Sequence, residues 1–261
     1  MKERLKISAV SYLNTSPYIA GLKSKYDHEQ QFIIGIETPA ECALKLQQGK
    51  ADLGLVPVAT IPSLSAYRRV TDWGIVGDGP VASVLLTSEV PLHDLKYIYL
   101  DYQSNTSNNL LKLLLRDYLE MNIQLIRSQP GYEQNIRGAT GGLLIGNRAL
   151  HLGKQFKFRY DLSELWKQWT GLPFVFARWV GNSRVKPETV DILNRLFNIG
   201  LEHREEIAVK ESSRFPEIDV LHYLNESIVY QISEAAAAGE ALFLEKIGTK
   251  SVPVSSDQNS K

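Results

Sequence analysis

The sequence predicts an α/β protein. Three observations carry that prediction. Short β-branched apolar runs alternate with helix-patterned stretches, and the chain opens in the order β-α-β-α-β. A self-contained block of strands and helices is then flanked by two long strand-like stretches, 79–88 and 172–180.

Residues 5–10 read as a strand, 17–25 as a helix and 31–37 as the next strand. The stretch 38–50 is a well-marked helix, with Thr38 as N-cap, Pro39 at the first helical position and Gly49 near its end. Residues 51–61 supply a short buried strand meeting Pro57, so the opening should form a parallel sheet. Residues 79–88 and 95–100 read as further strands. The stretch 104–119 begins on capping side chains and carries Leu110, Leu111, Leu113, Leu114 and Leu115, the buried face of a helix. Residues 123–128 and 141–146 read as strands, 161–171 as a helix and 172–180 as a strand. The rest, 186–208 and 225–248, reads as helical, including the Ala run at 235–238.

Composition excludes several classes of function. The chain has 261 residues, and its 29 Lys plus Arg balance 29 Asp plus Glu, so no basic footprint for nucleic acid is expected. No apolar run approaches the roughly 20 residues that span a bilayer, so no membrane association is expected. One cysteine, Cys42, rules out an internal disulfide framework and suits a reducing compartment; as a small buried apolar residue it needs no redox role. The N-terminus lacks the apolar core and small-residue cleavage site of a signal peptide, so a cytoplasmic location is expected. His28, His93, His151, His203 and His222 are scattered, and no Walker loop, G-x-G-x-x-G or G-x-S-x-G is present. Neither a metal nor another cofactor is therefore expected.

Two segments share one design. Residues 9–17 and 99–109 each follow a strand, contain Asn-Thr-Ser and open a helix. In open α/β sheets ligands bind at the carboxyl ends of strands, where such loops collect. Their hydroxyl and amide groups are neutral donors, able to hold an anion without lysine or arginine. Helix capping by Ser16 and Ser104 alone would explain either segment, but two of them point to a ligand with two acidic groups. Asp101 and Asp161 read as turn or cap residues rather than acid/base groups, and Trp166 and Trp169 as core.

The segments 7–22, 51–59, 79–88, 104–115, 143–150 and 164–179, with a weaker match at 223–230, resemble the chorismate dehydratases of the futalosine route to menaquinone. The Ser-Tyr-Leu-Asn-Thr run and the Trp-Thr-Gly-Leu-Pro-Phe-Val-Phe run are the most specific. The resemblance implies a two-lobed fold of the type II periplasmic-binding-protein kind, with a ligand cleft between lobes. Lobe one is then expected to comprise 1–85 and 178–250, lobe two 86–177, and the tail 251–261 to be disordered. It also implies a hydro-lyase that removes water from chorismate to give 3-[(1-carboxyvinyl)oxy]benzoate. By position Asn14 and Ser83 match the family's active-site asparagine and serine. Thr15, Thr106 and Ser107 match positions expected to hold carboxylates, and Asn147 stands at a further site position where the family often has Asp. Asn105 and Ala82 stand where basic residues are frequent. The competing reading is a non-catalytic binding protein for a small carboxylic acid, which the fold would equally support.

Overall fold

The computed structural model describes residues 4–24 and 32–248. The chain folds into two compact units. One joins the described part of Met1–Val76 to Val175–Glu234, the other joins Gly77–Phe174 to the described part of Ala235–Lys261. The expected tail at 251–261 and the last residue of the expected first helix lie outside the described residues.

The first unit opens with β1 (Leu5–Val10), a short turn of helix at Leu13–Thr15, α1 (Ser16–Leu22), β2 (Phe32–Glu37), α2 (Pro39–Gln47), β3 (Leu53–Pro57) and β4 (Arg68–Gly77). β1 pairs in parallel with β2 on one side and β3 on the other, as the β-α-β-α-β opening requires. α2 begins on a complete capping box: the Thr38 hydroxyl accepts from the Glu41 N–H, and the Glu41 carboxylate accepts from the Thr38 N–H. Behind the sheet, Cys42, Leu46, Ala51, Val56, Leu64 and Val180 form a closed apolar cluster. The Cys42 sulfur lies 3.2 and 3.1 Å from the carbonyl oxygens of Ser8 and Leu55, and burial pushes its thiol up to about 12. A thiol-selective reagent at mildly alkaline pH should therefore leave the native protein unlabelled and label it once unfolded; rapid native labelling would contradict this packing.

The second unit contains β5 (Val84–Ser88), β6 (Tyr97–Leu100), α3 (Asn105–Leu113), β7 (Gln124–Arg127), β8 (Thr140–Ile145), α4 (Gly146–Leu152), β9 (Phe158–Asp161) and α5 (Leu162–Thr170). Its strand order is β7-β6-β8-β5-β9. β6 runs parallel to β7 and β8, while β5 is antiparallel to β8 and β9. The triplet β7-β6-β8 thus repeats the arrangement β2-β1-β3 of the first unit.

The chain re-enters the first unit along β10 (Phe174–Gly181), which runs antiparallel to β3. Helices α6 (Pro187–Glu202), α7 (Arg204–Glu211) and α8 (Val220–His222) and strand β11 (Val229–Gln231) follow, and α9 (Glu234–Gly248) ends the described chain. The completed first sheet has the order β11-β4-β10-β3-β1-β2.

α1 and α6 cross at backbone contact. A Cβ at Gly21 would lie 1.9 Å from the Leu196 carbonyl oxygen, and one at Gly200 would lie 1.9 Å from that of Pro17. Neither carbonyl has a flexible end that could yield. Gly21→Ala should therefore cost about 1–3 kcal/mol in urea unfolding, the usual cost of overpacking, despite alanine's better helix propensity. A stability gain would show that the helices part more easily than this geometry allows. Tyr18, fully buried on α1, sets its hydroxyl 2.7 Å from the Gly74 carbonyl oxygen and 3.1 Å from that of Tyr230, tying the helix to both β4 and β11.

Several expectations need correction. The first unit ends at Val76 rather than 85, because residues 77–85 belong to the second unit through β5 and through hydrogen bonds from Val81 and Ala82 to Asp161. The return falls at Val175 rather than 178. The last helix was expected in the first lobe, but it packs in the second unit: Phe243 meets Trp166 and Phe174, and Gly239 allows close approach to the Pro173 carbonyl. The stretch 79–88 is a strand only from Val84, since Ala82 takes the left-handed conformation at φ 57°. Within 225–248, the segment Val229–Gln231 is a strand, captured by the edge of β4.

Candidate active site

The first loop leaves the carboxyl end of β1, the central strand of the β2-β1-β3 triplet. There the connections diverge to opposite sides of the sheet, the place where open α/β sheets bind ligands. The Ser11 N–H is bonded to the Glu37 carbonyl, and the Thr15 N–H to the Tyr12 carbonyl. The Thr15 hydroxyl, 1% exposed, lies against the carbonyl oxygens of Val10 and Tyr12, so its single proton is used inside the loop. Thr15, expected to hold a carboxylate, has its hydroxyl proton and its N–H both engaged in shaping the turn. Asn14 is nearly buried, and among the described residues its amide has no hydrogen-bond partner. The turn is rigid and its amide is uncommitted.

The second loop leaves the carboxyl end of β6, again the central strand of its triplet. Asn108 clamps it by accepting from the Asp101 N–H at 2.9 Å and donating to the Asp101 carbonyl at 2.7 Å. Ser104 caps α3, its hydroxyl accepting from the Ser107 N–H at 3.0 Å and donating to the Ser107 hydroxyl at 2.8 Å. That leaves Ser107 its own proton to donate. Thr106 and Ser107 are both buried within the first turn of α3.

Beneath this loop lies a charged cluster that sequence reasoning missed. The Arg148 guanidinium, on α4, pairs with Asp101 and sits 2.6 Å from Glu133, with its Cζ 4.5 Å from the centre of the Tyr102 ring. Asp101 also accepts from the Gln103 N–H at 2.7 Å and contacts the Tyr132 hydroxyl at 3.1 Å. Burial pushes the Asp101 carboxyl up, and Arg148 opposes that shift. Asp101 is therefore a brace for the loop. The only sequence signal for Arg148 was its place within residues 143–150; its pairing follows from β8 lying beside β6.

Ser83 precedes β5, and its carbonyl accepts from the Gly146 N–H at 2.8 Å, next to Asn147. It is 2% exposed, and among the described residues its hydroxyl bonds to nothing. Just before it, Asp161 receives the N–H groups of Val81 at 2.9 Å and Ala82 at 2.7 Å, and with its other oxygen those of Ser163 and Glu164 at the start of α5. Burial pushes the Asp161 carboxyl up to about 6 against those four donors. The second unit thus gathers Ser83, Thr106, Ser107 and Asn147 on segments bordering β6, β8 and β5, while Asn14 and Thr15 belong to the first. Among the described residues no group of His, Cys, Asp or Glu could hold a metal ion, and no helix is long and apolar enough to cross a membrane.

The family model described as menaquinone biosynthesis matches residues 5–248. The chain belongs to that family. The chorismate dehydratase of Thermus thermophilus is 30% identical over 244 residues, covering 83% of this chain and 87% of its own. Among solved structures, a protein from Archaeoglobus fulgidus is similar with a TM-score of 0.75 at 15% identity, covering 94% of this chain and 97% of its own. The periplasmic aliphatic sulphonate binding protein of Escherichia coli is similar with a TM-score of 0.66, also at 15% identity, over 95% of this chain and 87% of its own. This member of the menaquinone-biosynthesis family therefore has a two-lobed α/β fold of the periplasmic-binding-protein kind. At such identities the structural likeness speaks for fold alone.

Proposed function

We propose that this protein is a cytoplasmic chorismate dehydratase of the futalosine route, converting chorismate to 3-[(1-carboxyvinyl)oxy]benzoate and water. The observation that carries this is the pair of uncommitted side chains: the Asn14 amide and the Ser83 hydroxyl stand on braced turns with no protein partner among the described residues. The relative from Thermus thermophilus gives the substrate class.

The proton removed is on the ring carbon bearing the enolpyruvyl ether, vinylogous to the ring carboxylate. Its electron pair spreads towards that carboxylate as an extended enolate, then expels the neighbouring hydroxyl, and the ring becomes aromatic. The proton and hydroxide together make the water released. Neither Asn14 nor Ser83 is a strong base, so the substrate's own enolpyruvyl carboxylate takes the proton while the two side chains orient it. The neutral donors of Thr106 and Ser107 hold a carboxylate, and Asn147, at the start of α4, is a further contact to the substrate. Donors fixed before the reaction stabilise the growing enolate charge without reorganising.

The binding-protein reading has less support, because its resemblance is one of fold. Incubating the purified protein with chorismate, with no metal added, should yield a product lighter by one water, followed by mass spectrometry. Unchanged chorismate at high protein concentration would overturn the enzyme reading and leave a binding protein.

A further inference from the structure

We propose that Asp161 is a positioning residue for Ser83, holding the 79–83 loop in the backbone conformation that presents the Ser83 hydroxyl. The inference rests on the proposed role of Ser83 in the dehydration.

Asp161 does more than its place at the head of α5 requires. An N-cap needs one oxygen, and serine, threonine or asparagine supplies it as well as aspartate does. Here Oδ1 makes the cap, accepting from the Ser163 N–H at 3.0 Å and the Glu164 N–H at 3.3 Å. Oδ2 is left for Val81 and Ala82, which lie 80 and 79 residues earlier in the chain. Only a carboxylate offers two acceptor oxygens that can serve both pairs at once.

The loop needs that clamp. Ala82 sits at φ 57°, in the left-handed region that costs a residue with a Cβ roughly 1–2 kcal/mol. Such a conformation persists only where the surroundings over-determine it. The Ala82 N–H bond to Asp161, at 2.7 Å, is the constraint immediately before Ser83. On the other side, the Ser83 carbonyl is fixed by the Gly146 N–H at 2.8 Å. Approach at the foot of the loop is also close: a Cβ at Gly77 would lie 2.1 Å from the Ser163 hydroxyl oxygen and 2.5 Å from Val81. The head of α5 and the loop form one tightly packed block, which leaves both the buried Ser163 hydroxyl and the Ser83 hydroxyl without a partner among the described residues; of the two, Ser83 lies in the loop segment that the clamp holds.

Asp161→Ser separates the two duties. Serine keeps the cap on α5 but is too short to reach Val81 and Ala82. With chorismate as substrate, the variant should lose about 10- to 10²-fold in kcat, the cost of a misplaced group, with KM changed less than about threefold. Adding Ala82→Gly should restore a substantial part of kcat, because glycine takes the left-handed conformation without the clamp. A merely structural role would lower the unfolding temperature, leave kcat of the folded enzyme intact and show no rescue. A kcat within about twofold of wild type, or no rescue in the double variant, overturns the proposal. Amide hydrogen exchange at Val81 and Ala82 tests the clamp without any substrate. It should quicken selectively in Asp161→Ser, and unchanged exchange there is equally fatal. Wild-type protein that fails to dehydrate chorismate would instead refute the proposed function, while the exchange result would still decide whether the clamp exists.

Discussion

Replacing Asn14 or Ser83 with alanine should lower kcat for chorismate by about 10²-fold or more each, a loss of order 2.7 kcal/mol in transition-state stabilisation. Both side chains stand on turns fixed by other groups: Thr15 pins the first through Val10 and Tyr12, and Asp161 and Gly146 pin the second. Removing the amide or hydroxyl should therefore leave the turn in place and take away only the interaction with substrate. If that interaction strengthens as the enolate forms, kcat falls while binding changes little. Thr106→Ala should show the opposite balance, weakening binding more than turnover. Steady-state kinetics alongside calorimetric titration separates the two effects. Full activity in both Asn14→Ala and Ser83→Ala would remove these residues from the site, even if the protein proved to be an enzyme.

The largest expected loss of stability is at Arg148. Its side chain is 22% exposed and pairs with Asp101, whose side chain is fully buried, and with Glu133. Arg148→Met keeps most of the volume but leaves the Asp101 carboxylate without its cation, which should cost about 3–5 kcal/mol in urea unfolding. The double variant Arg148→Met/Asp101→Asn should lose less, since no unpaired buried charge at Asp101 remains. The sign with pH follows from burial, which already pushes the Asp101 carboxyl above its ordinary range. Without Arg148 the shift is larger. A carboxyl raised in the folded state keeps its contribution below its unfolded value and loses it as pH rises through the folded value. The single variant should thus be closer to wild type in acidic than in neutral buffer. A loss below about 1 kcal/mol at neutral pH would mean that Arg148 contributes no more than a surface ion pair.

Local chemistry was legible in the sequence wherever it decided the structure. Thr38, Pro39 and Glu41 make the start of α2, and Ser104 caps α3 as its position before an apolar period suggested. What could not be read was set by partners distant in sequence. β11 is a strand because the edge of β4 was open to receive it, although its flanking residues have helical composition. Ala82 breaks an apolar stretch that reads as continuous strand, and the cause lies in Asp161, 79 residues away. The same holds for the site. Asn14, Ser83, Thr106, Ser107 and Asn147 are candidates named from a family pattern, but the Arg148–Asp101 brace depends on strand order.

The insertion of β10 between β3 and β4 has a consequence for synthesis on the ribosome. β3 and β4 are both complete by Gly77, but the strand that separates them ends at Gly181, about a hundred residues later. At roughly 5–20 residues per second, the nascent first sheet waits about 5–20 s with two apolar strand edges unpaired. The segment between, Gly77–Phe174, already holds all five strands of its own sheet and can begin to condense as soon as it emerges. The middle of the chain is thus poised to fold before its beginning. Until Gly181 has left the exit tunnel, the N-terminal segment is the part most exposed to strand-edge aggregation and in need of a chaperone.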